Sequence, residues 1–277
     1  MDLTRINEYL TSFHELIESE DEKEAPKKIK VGVDLGTANI VITVVDENNL
    51  PIAGAAEAAS VVKDGIVVDY IGAVGIVKRL KAEVERQLGR ELLEAATAIP
   101  PGIAPGDTRA ITNVVESAGF EVTQVLDEPT AAAVVLGITE GAVVDVGGGT
   151  TGISILHDGK VVAVEDEPTG GTHMSLVIAG NYGISFEEAE VRKRSGQQEM
   201  ELYPLVRPVV EKMATIVKRA IEGQGVSEVY VVGGAATFED FEKDFEKILG
   251  IPVIKPKFPL LVTPIGIAWG MKEEVAP

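Results

Sequence analysis

Two short segments of the chain carry an aspartate just before a turn of small residues. VGVDLGTANIVIT and VVDVGGGTTGISI each have the pattern of an apolar strand, an aspartate, a glycine-containing turn and a second apolar strand. When the segments are aligned, Asp34 falls on Asp145 and Gly36 on Gly147, an offset of 111 residues. The matched positions indicate an internal duplication in which each copy opens with a β-hairpin. Two unrelated hairpins are the simpler alternative, because Asp-x-Gly is a common turn sequence.

The chemistry that suits such turns is the binding of phosphate. Glycines at the end of a strand leave backbone N–H groups uncovered, and these groups donate hydrogen bonds to phosphate oxygens. Two such turns facing each other would hold a polyphosphate from both sides. Asp34 and Asp145 would then need a cation between them, because like charges in one cleft repel. Mg²⁺ fits, since it prefers oxygen ligands and keeps most of its bound water.

Three further segments could contribute to the same site. Glu128 stands where a strand gives way to a helix, and Pro129 suits the first helical turn. Glu128 would then project at the mouth of the cleft, although acidic residues also occur at ordinary helix starts because the helix dipole favours them. The glycine pairs at 170–171 and 233–234 each follow a strand closely. They could approach a phosphate and a nucleoside, respectively.

Two other nucleotide motifs are not supported. Residues 147–152 formally match G-x-G-x-x-G, but a dinucleotide site requires a helix to begin there. The residues that follow, ISILHDGKVVAV, are β-branched and alternating, which favours a hairpin. A P-loop is excluded, because the sequence contains no G-x-x-x-x-G-K-[ST].

The elements that position these residues alternate between strands and helices. The sequence predicts helices over 78–95, over 107–118 with Asp107 as the N-cap, and over 185–223 with interruptions at Pro204 and Pro208. A last helix is predicted near TPIGIAWGMKEE. At the N-terminus an apolar stripe at helical spacing precedes a charged, proline-containing linker, SEDEKEAPKK. The stripe consists of Leu3, Ile6, Leu10, Phe13 and Ile17.

Composition excludes several classes of function. The net charge of −19 argues against non-specific nucleic-acid binding and against an anionic membrane surface. The absence of cysteine excludes disulfides and thiolate sites, and three scattered histidines make a multi-histidine zinc site unfavourable. The apolar runs are too short to span a bilayer, and the acidic N-terminus is unlike a secretory signal. We therefore expect a soluble cytoplasmic protein.

Five ordered segments between about residues 30 and 271 resemble the signatures of the actin/DnaK/sugar-kinase ATPase superfamily. They are VGVDLGTAN, LDEPTAAAV, VVDVGGGTTGIS, YVVGGAA and TPIGIAWG. Within that superfamily the chain is similar to the EutJ family, the DnaK-like proteins of ethanolamine-utilisation operons. The segments VVKDGIVVDYIGAV and TGGTHMSLVIAGNYGIS carry this closer likeness.

The resemblance implies an α/β fold with two ribonuclease-H-like, actin-like lobes around a nucleotide cleft. The first lobe would span 28–138 and be completed by 256–277, the second would span 139–255, and residues 1–27 would precede them as helix and linker. Because the chain ends just after its last helix, we expect no DnaK-type peptide-binding domain.

The resemblance also implies ATP and Mg²⁺ as cofactors and assigns roles to residues. Asp34 and Asp145 match the carboxylates that hold hydrated Mg²⁺, Glu128 matches the residue that positions the attacking water, and Thr150 matches the hydroxyl at the γ-phosphate. Two family features are missing: no acidic residue follows Gly171 closely, and residues 50–80 are too short for the subdomain that supplies a lysine. The residues matching the nucleotide turns are Gly36, Thr37, Ala38, Asn39, Gly147, Gly148, Gly149, Thr150, Gly170, Gly171, Gly233, Gly234 and Ala235.

By resemblance, the expected function is that of a chaperone-like ATPase linked to bacterial microcompartments, in which nucleotide state drives lobe closure and a client or shell protein responds. A nucleotide-binding scaffold without useful turnover, a polymerising actin homologue and a small-molecule kinase are alternatives. The N-terminal helix either packs on the protein's own lobes or serves as a targeting helix that binds a shell protein.

Overall fold

The computed structural model describes residues 2–19, 25–63, 65–100 and 104–271. By internal packing the chain divides into two compact units. Unit 1 comprises Met1–Ile138 and Pro256–Pro277, and unit 2 comprises Thr139–Lys255. Parts of two predicted elements lie outside the described residues: the linker at 20–24 and the last helix beyond residue 271.

Unit 1 is built on a five-stranded mixed sheet with the order β3-β2-β1-β6-β7. Its first three strands form an antiparallel meander, and β6 and β7 continue the sheet in parallel with β1. The strands are β1 Ile29–Leu35, β2 Asn39–Asp46, β3 Pro51–Ala58, β6 Glu94–Ile99 and β7 Glu121–Asp127, with a separate two-stranded ribbon of β4 Val62–Lys63 and β5 Ile66–Val67. The helices are α1 Leu3–Glu18, α2 Tyr70–Leu88, α3 Pro105–Ser117, α4 Glu128–Leu136 and α9 Val262–Gly270, the last preceded by a 3₁₀ turn at Pro259–Leu261.

Unit 2 repeats the same strand order, β10-β9-β8-β11-β12. The repetition confirms the predicted pair of ribonuclease-H-like α/β folds, each opening with a hairpin. The strands are β8 Gly141–Val146, β9 Thr151–His157, β10 Lys160–Glu167, β11 Val229–Val232 and β12 Val253–Ile254. The helices are α5 Gly171–Tyr182, α6 Phe186–Ser195, α7 Glu199–Ile221 and α8 Phe241–Leu249, with a 3₁₀ turn at Gly234–Thr237.

The predicted boundaries of two helices in unit 1 are wrong. The helix predicted over 78–95 begins at Tyr70, because Asp69 Oδ1 accepts a hydrogen bond from the amide of Gly72, and it ends before Gly89, which has φ +61°. Residue 94 therefore begins strand β6. The helix predicted from Asp107 begins at Pro105, so Asp107 lies in its first turn rather than at the N-cap.

The predicted interruption of the long helical segment in unit 2 is also misplaced. The break falls at Gly196, which has φ +66° and follows α6. Pro204 and Pro208 lie inside α7 and are both exposed. Because they are four residues apart they share one face of the helix, where water can satisfy the carbonyl groups that lose an amide partner.

The N-terminal helix α1 packs on unit 1. Leu10 and Phe13 are fully buried, and the Phe13 ring occupies the space above Gly54 of β3, where a Cβ would lie 2.7 Å from it. Tyr9 Oη donates to the carbonyl oxygen of Asn49 at 2.5 Å and accepts from Trp269 Nε1 at 3.0 Å, which connects α1 to α9. The apolar stripe of α1 therefore packs against other elements of unit 1. None of the helices in the described ranges is long and apolar enough to cross a membrane.

Glycines let the helices approach the sheet and each other closely. Gly32, Thr43 and Gly54 stand opposite one another on β1, β2 and β3, so they share one face of the sheet. A Cβ on Gly32 would lie 2.6 Å from the Ala268 amide of α9. Helix α9 also crosses α4 at Gly266, where a Cβ would overlap the main chain of Ala131.

The substitution Gly266→Ala is expected to lower the free energy of unfolding by about 1–3 kcal/mol, because the added methyl group must push two packed helices apart. Gly75→Ala in α2 is the matched control, since its Cβ would meet only Arg79 Nη1 at 3.7 Å. The control is expected to be about 0.5–1 kcal/mol more stable than the parent. Chemical denaturation followed by Trp269 fluorescence measures both, and equal stabilities would contradict the close α4–α9 crossing.

Candidate functional site

In unit 1 the candidate residues lie along one edge of the sheet. Asp34 is the next-to-last residue of β1, and Glu128 follows directly after β7. The registers Gly32–Ala96 and Ala98–Leu126 place these parallel strands with their carboxyl ends at the same edge. Only β6 separates β1 from β7, so the two carboxylate-bearing positions are about 10 Å apart across the sheet.

The start of α4 fixes the position of Glu128. Asp127 Oδ1 accepts a hydrogen bond from the amide of Thr130 at 2.9 Å and so caps the helix. Pro129 occupies the first helical turn, as its fixed φ favours. Glu128 is half-buried at the helix N-terminus, where the dipole favours a negative charge. The predicted strand-to-helix transition is therefore present.

In unit 2 three glycine segments converge into one assembly, here called the glycine cradle and defined as residues 147–150, 170–171 and 233–235. The first turn closes through a hydrogen bond from the Gly147 amide to the Thr150 carbonyl at 2.9 Å. The amides of Gly171 and Thr172 donate to the carbonyls of Gly147 and Gly148 at 2.9 and 2.7 Å. The start of α5 is thereby fastened to the turn that follows β8.

The third segment closes the cradle beside Asp145. Asp145 on β8 stands opposite Val232 on β11, so Gly233 follows at the same edge. Gly233 has φ +93°, and a Cβ there would overlap the Asp145 carboxylate. Ala235 lies against Gly171, since its Cβ is 3.2 Å from the position that a Cβ on Gly171 would take.

Close packing in the cradle requires glycine at position 170. A Cβ on Gly170 would lie 2.6 Å from the Gly147 carbonyl oxygen and 2.8 Å from that of Gly148, so no side chain fits. Gly148 and Gly149 lie in the middle of the turn and are half-buried. Neither amide donates to any acceptor among the residues that the structure describes. Adjacent free donors on a rigid turn form a concave site for an anion.

The turn of unit 1 has the same form. Gly36 is half-buried, and a Cβ on it would lie 2.8 Å from the Asn39 carbonyl oxygen. Asn39 is the residue that the 111-residue offset places on Thr150, whose carbonyl closes the cradle turn. The structure thus collects the predicted residues into two groups, each within its own unit. They are Asp34, Gly36, Thr37, Ala38, Asn39 and Glu128 in unit 1, and Asp145 with the glycine cradle in unit 2.

Sequence reasoning missed Lys193 on α6. Its Nζ donates to Gly171 O at 2.9 Å, Ser175 Oγ at 2.8 Å and Glu190 Oε2 at 2.7 Å. Burial lowers the pKa of Lys193, although the neighbouring Glu190 carboxylate opposes the shift. Lys193 therefore stabilises the main chain of the cradle through its hydrogen bond to the Gly171 carbonyl oxygen. The available signal was the three-residue spacing of Glu190 and Lys193, which places them on one helix face.

A metal held by protein ligands alone does not fit the described residues. They contain no group of three or more His, Asp or Glu side chains that could surround an ion. Each unit instead presents one half-buried aspartate beside a phosphate-type turn, Asp34 or Asp145. This donor set suits an ion such as Mg²⁺ that keeps most of its water and also takes phosphate oxygens.

Comparison with known sequences identifies close relatives. The ethanolamine utilization protein EutJ of Salmonella typhimurium is 49% identical over 239 residues, which are 86% of this chain and 84% of that protein. EutJ of Escherichia coli K12 is 48% identical over 248 residues, covering 88% and 86%. The chaperone protein DnaK of Akkermansia muciniphila is 33% identical over 126 residues, covering 44% of this chain and 20% of DnaK. The family described as Type IV pilus assembly protein PilM matches residues 113–257.

Solved structures show the same architecture. The crystal structure of EutJ from Carboxydothermus hydrogenoformans superposes with a TM-score of 0.92 at 52% identity, covering 97% of this chain and 99% of that one. A PilM–PilN type IV pilus biogenesis complex gives a TM-score of 0.71 at 15% identity, covering 88% and 98%. MreB5 of Spiroplasma citri bound to AMPPNP gives 0.68 at 19% identity, covering 87% and 95%. The last two comparisons establish the actin-like fold.

Proposed function

The chain belongs to the EutJ family of ethanolamine utilization proteins, and from this membership we propose that it binds ATP with Mg²⁺ and hydrolyses it slowly in a chaperone-like cycle. The fold inferred from the five motif segments and the EutJ likeness inferred from two further segments are both confirmed. Nucleotide binding, hydrolysis and the chaperone role are the proposal. The AMPPNP bound to the structurally similar MreB5 supports the nucleotide class.

The observation that carries the proposal is the glycine cradle of unit 2. The amides of Gly148 and Gly149 in its turn have no acceptor among the described residues, the turn is hydrogen-bonded to α5, and it lies beside Asp145. Because hydrogen bonds already order this turn, phosphate binding would not carry the entropic cost of ordering a loop. A packing role alone would not explain why two amides next to a carboxylate have no acceptor among the described residues.

The proposed roles follow the chemistry of each group. Asp34 and Asp145 would orient Mg²⁺ through bound water, and Thr150 would contact the γ-phosphate. Glu128 would position the attacking water from the N-terminus of α4. The ion supplies charge neutralisation for the phosphates. The protein's part is positioning, since phosphoryl transfer to water needs no covalent intermediate. The nucleotide turns would be residues 36–39 of unit 1 and 147–150, 170–171 and 233–235 of unit 2.

The substitutions Asp34→Asn and Asp145→Asn test the proposal. Each is expected to weaken Mg²⁺-dependent ATP binding by about 10–100-fold, the usual effect of removing a carboxylate that holds a metal through water. Titration calorimetry with ATP in Mg²⁺ and in EDTA measures the effect. The exposed-surface substitution Glu116→Gln in α3 is the control and is expected to leave the affinity unchanged. Wild-type affinity in both aspartate variants would contradict the assignment.

A second candidate is a nucleotide-binding scaffold without useful turnover. It is favoured by the first turn of α5, which carries no acidic residue at the point where DnaK-like ATPases have one. A phosphate-release assay on the wild-type protein separates the two functions. Release of phosphate that stops when EDTA is added supports the ATPase, and tight binding without release supports the scaffold.

The chaperone-like role predicts a partner that distinguishes nucleotide states. ATP and ADP would stabilise different conformations, and a client or shell protein of a microcompartment would bind one of them better. Purification from the native host with ATP, and separately with ADP, compares the proteins retained. The same proteins in equal amounts in both samples would contradict nucleotide-controlled binding.

A further inference from the structure

Three residues of unit 2 stand opposite one another on neighbouring strands, close to the edge that carries the glycine cradle. Asp145 of β8 pairs with Gly152 of β9, and Gly152 pairs with Asp166 of β10. Residues paired across adjacent strands share one face of a sheet. Only β9 separates β8 from β10, so the two aspartates lie on the same face with their Cα atoms about 10 Å apart.

The middle position of this row has room for a side chain that it does not carry. A Cβ on Gly152 would lie 3.8 Å from Asp166 Oδ1, an ordinary contact, and among the described residues it would meet no other atom within 4 Å outside its chain neighbours. Neither crowding nor a positive φ therefore requires glycine here. Glycine inside a strand weakens it and often marks a place where a ligand approaches the main chain closely.

Unit 1 shows that the fold does not require these residue types. Its equivalent row consists of Asp34 of β1, Val41 of β2 and Ala56 of β3, which are paired in the same way. The first aspartate is common to both units, but the next two positions are apolar in unit 1. Because aspartate and glycine are both disfavoured in strands, their presence in unit 2 calls for a reason other than sheet formation.

The end of β10 is anchored, so Asp166 has a defined position. Thr151 Oγ1 donates to the Thr169 carbonyl oxygen at 2.6 Å, and both threonines are buried. The Thr169 amide donates to the carbonyl oxygen of Glu167 at 2.7 Å. These hydrogen bonds join the residues that follow Asp166 to the start of β9, directly after the turn at 147–150.

The spacing of the two aspartates suits a hydrated divalent cation. Opposite water molecules around Mg²⁺ are about 4 Å apart, because each Mg–O distance is about 2.1 Å. A hydrogen bond of about 2.7–2.9 Å from each water to a carboxylate then places two carboxylate oxygens about 9–10 Å apart. This span is close to the separation of the two strand positions, and contact through water needs no cage of protein ligands, which the described residues do not provide.

We propose that Asp166 is a positioning residue which, together with Asp145, orients hydrated Mg²⁺ through water across Gly152. The inference rests on the proposed binding of ATP with Mg²⁺ and adds to it a carboxylate that lies outside the five motif segments. The amides of Gly148 and Gly149, which have no acceptor among the described residues, point independently to an anion at this edge. Mg²⁺ takes phosphate oxygens in place of part of its water.

Mn²⁺ is the probe for the test, because it takes the same oxygen ligands as Mg²⁺ and its free concentration can be measured by electron paramagnetic resonance. The full-length protein is titrated as its 1:1 complex with AMPPNP. Asp166→Asn keeps the shape of the side chain and is expected to weaken Mn²⁺ binding about 10–100-fold. Asp166→Ala, which copies Ala56 of unit 1, is expected to show the same loss.

Glu165→Gln is the matched control. Glu165 is an exposed carboxylate on the same strand, but it pairs with Ile153 and so lies on the opposite face of the sheet from Asp166. The control is expected to bind Mn²⁺ as the wild type does. Equal loss of Mn²⁺ affinity in Glu165→Gln would show a general effect of charge and overturn the proposal.

The affinity for AMPPNP in EDTA, measured by calorimetry, separates a role at the metal from a structural one. It is expected to be at least as high in Asp166→Asn as in the wild type, because one negative charge fewer faces the phosphates. A fall as large as the loss of Mn²⁺ affinity would show a structural role and overturn the proposal. Wild-type Mn²⁺ affinity in both Asp166 variants, with AMPPNP binding intact, would overturn this inference alone. Absence of AMPPNP binding by the wild type would overturn the proposed function and this inference together.

Discussion

Phe13→Ala is expected to lower the free energy of unfolding by about 3–5 kcal/mol, the usual cost of removing a buried phenylalanine ring. Phe13 is fully buried, and its ring fills the space above Gly54 that no side chain of β3 occupies. Truncation would leave a cavity between α1 and the sheet, and Gly54 has no side chain that could fill it. Chemical denaturation followed by the fluorescence of Trp269 measures the loss, because Trp269 is the single tryptophan and is bonded to Tyr9 of α1.

The outcome separates the two interpretations of the N-terminal helix. Glu15→Ala on the exposed side of α1 is the control and is expected to change stability by less than about 0.5 kcal/mol. If Phe13→Ala were as stable as the control, α1 would not belong to the core, and the targeting-helix interpretation would gain. Loss of stability, with Trp269 fluorescence altered in the native state, would show that the stripe serves the fold.

Glu128→Gln is expected to reduce ATP turnover by about 10²–10⁴-fold while ATP affinity changes little. Glutamine keeps the shape and position of the side chain but removes the charge that would polarise the attacking water. The helix start should persist, because Asp127 rather than Glu128 accepts the capping hydrogen bond. Steady-state phosphate release gives the turnover, and calorimetry gives the affinity.

The control for Glu128 lies at the other end of the same strand. Glu121→Gln removes one carboxylate from the exposed first residue of β7 and is expected to leave turnover at the wild-type level. Turnover in Glu128→Gln equal to that of the control would remove Glu128 from the proposed mechanism. Parallel loss of ATP affinity would instead show that Glu128 acts in binding.

The hairpins and their turns could be predicted because local chemistry alone determines them. An aspartate, a glycine and β-branched flanking residues are sufficient to specify a strand, a turn and a second strand, and the 111-residue repetition confirmed the pattern in both units. The start of α4 could also be predicted, since Asp127 and Pro129 are strong signals for the N-terminus of a helix. The fold followed from the order of the five motif segments, whereas the EutJ family followed from VVKDGIVVDYIGAV and TGGTHMSLVIAGNYGIS.

The features that escaped prediction depend on contacts distant in sequence. Pro204 and Pro208 look like helix breaks, yet α7 continues through them because its other face packs into the core of unit 2. Lys193 gave no distinctive signal, because its role arises only when α6 brings it against Gly171 and Ser175. Lys27 and Lys28 were assigned to a linker, since nothing local shows that Arg90 and Met271 line the same pocket as these lysines.

Unit 1 is discontinuous in sequence, and this affects the order in which the two units can fold during synthesis. Unit 2 is one continuous stretch, whereas unit 1 lacks α9 until residues 262–270 have been synthesised. Roughly 120 residues separate the end of α4 from α9, so at about 5–20 residues per second the first part of unit 1 waits about 6–25 s. During that time α9 does not yet cover β1 at Gly32 or pack on α4 at Ala131. The unit that starts second can therefore finish folding first, and the nascent chain is most open to aggregation while its opening hairpin awaits the last helix.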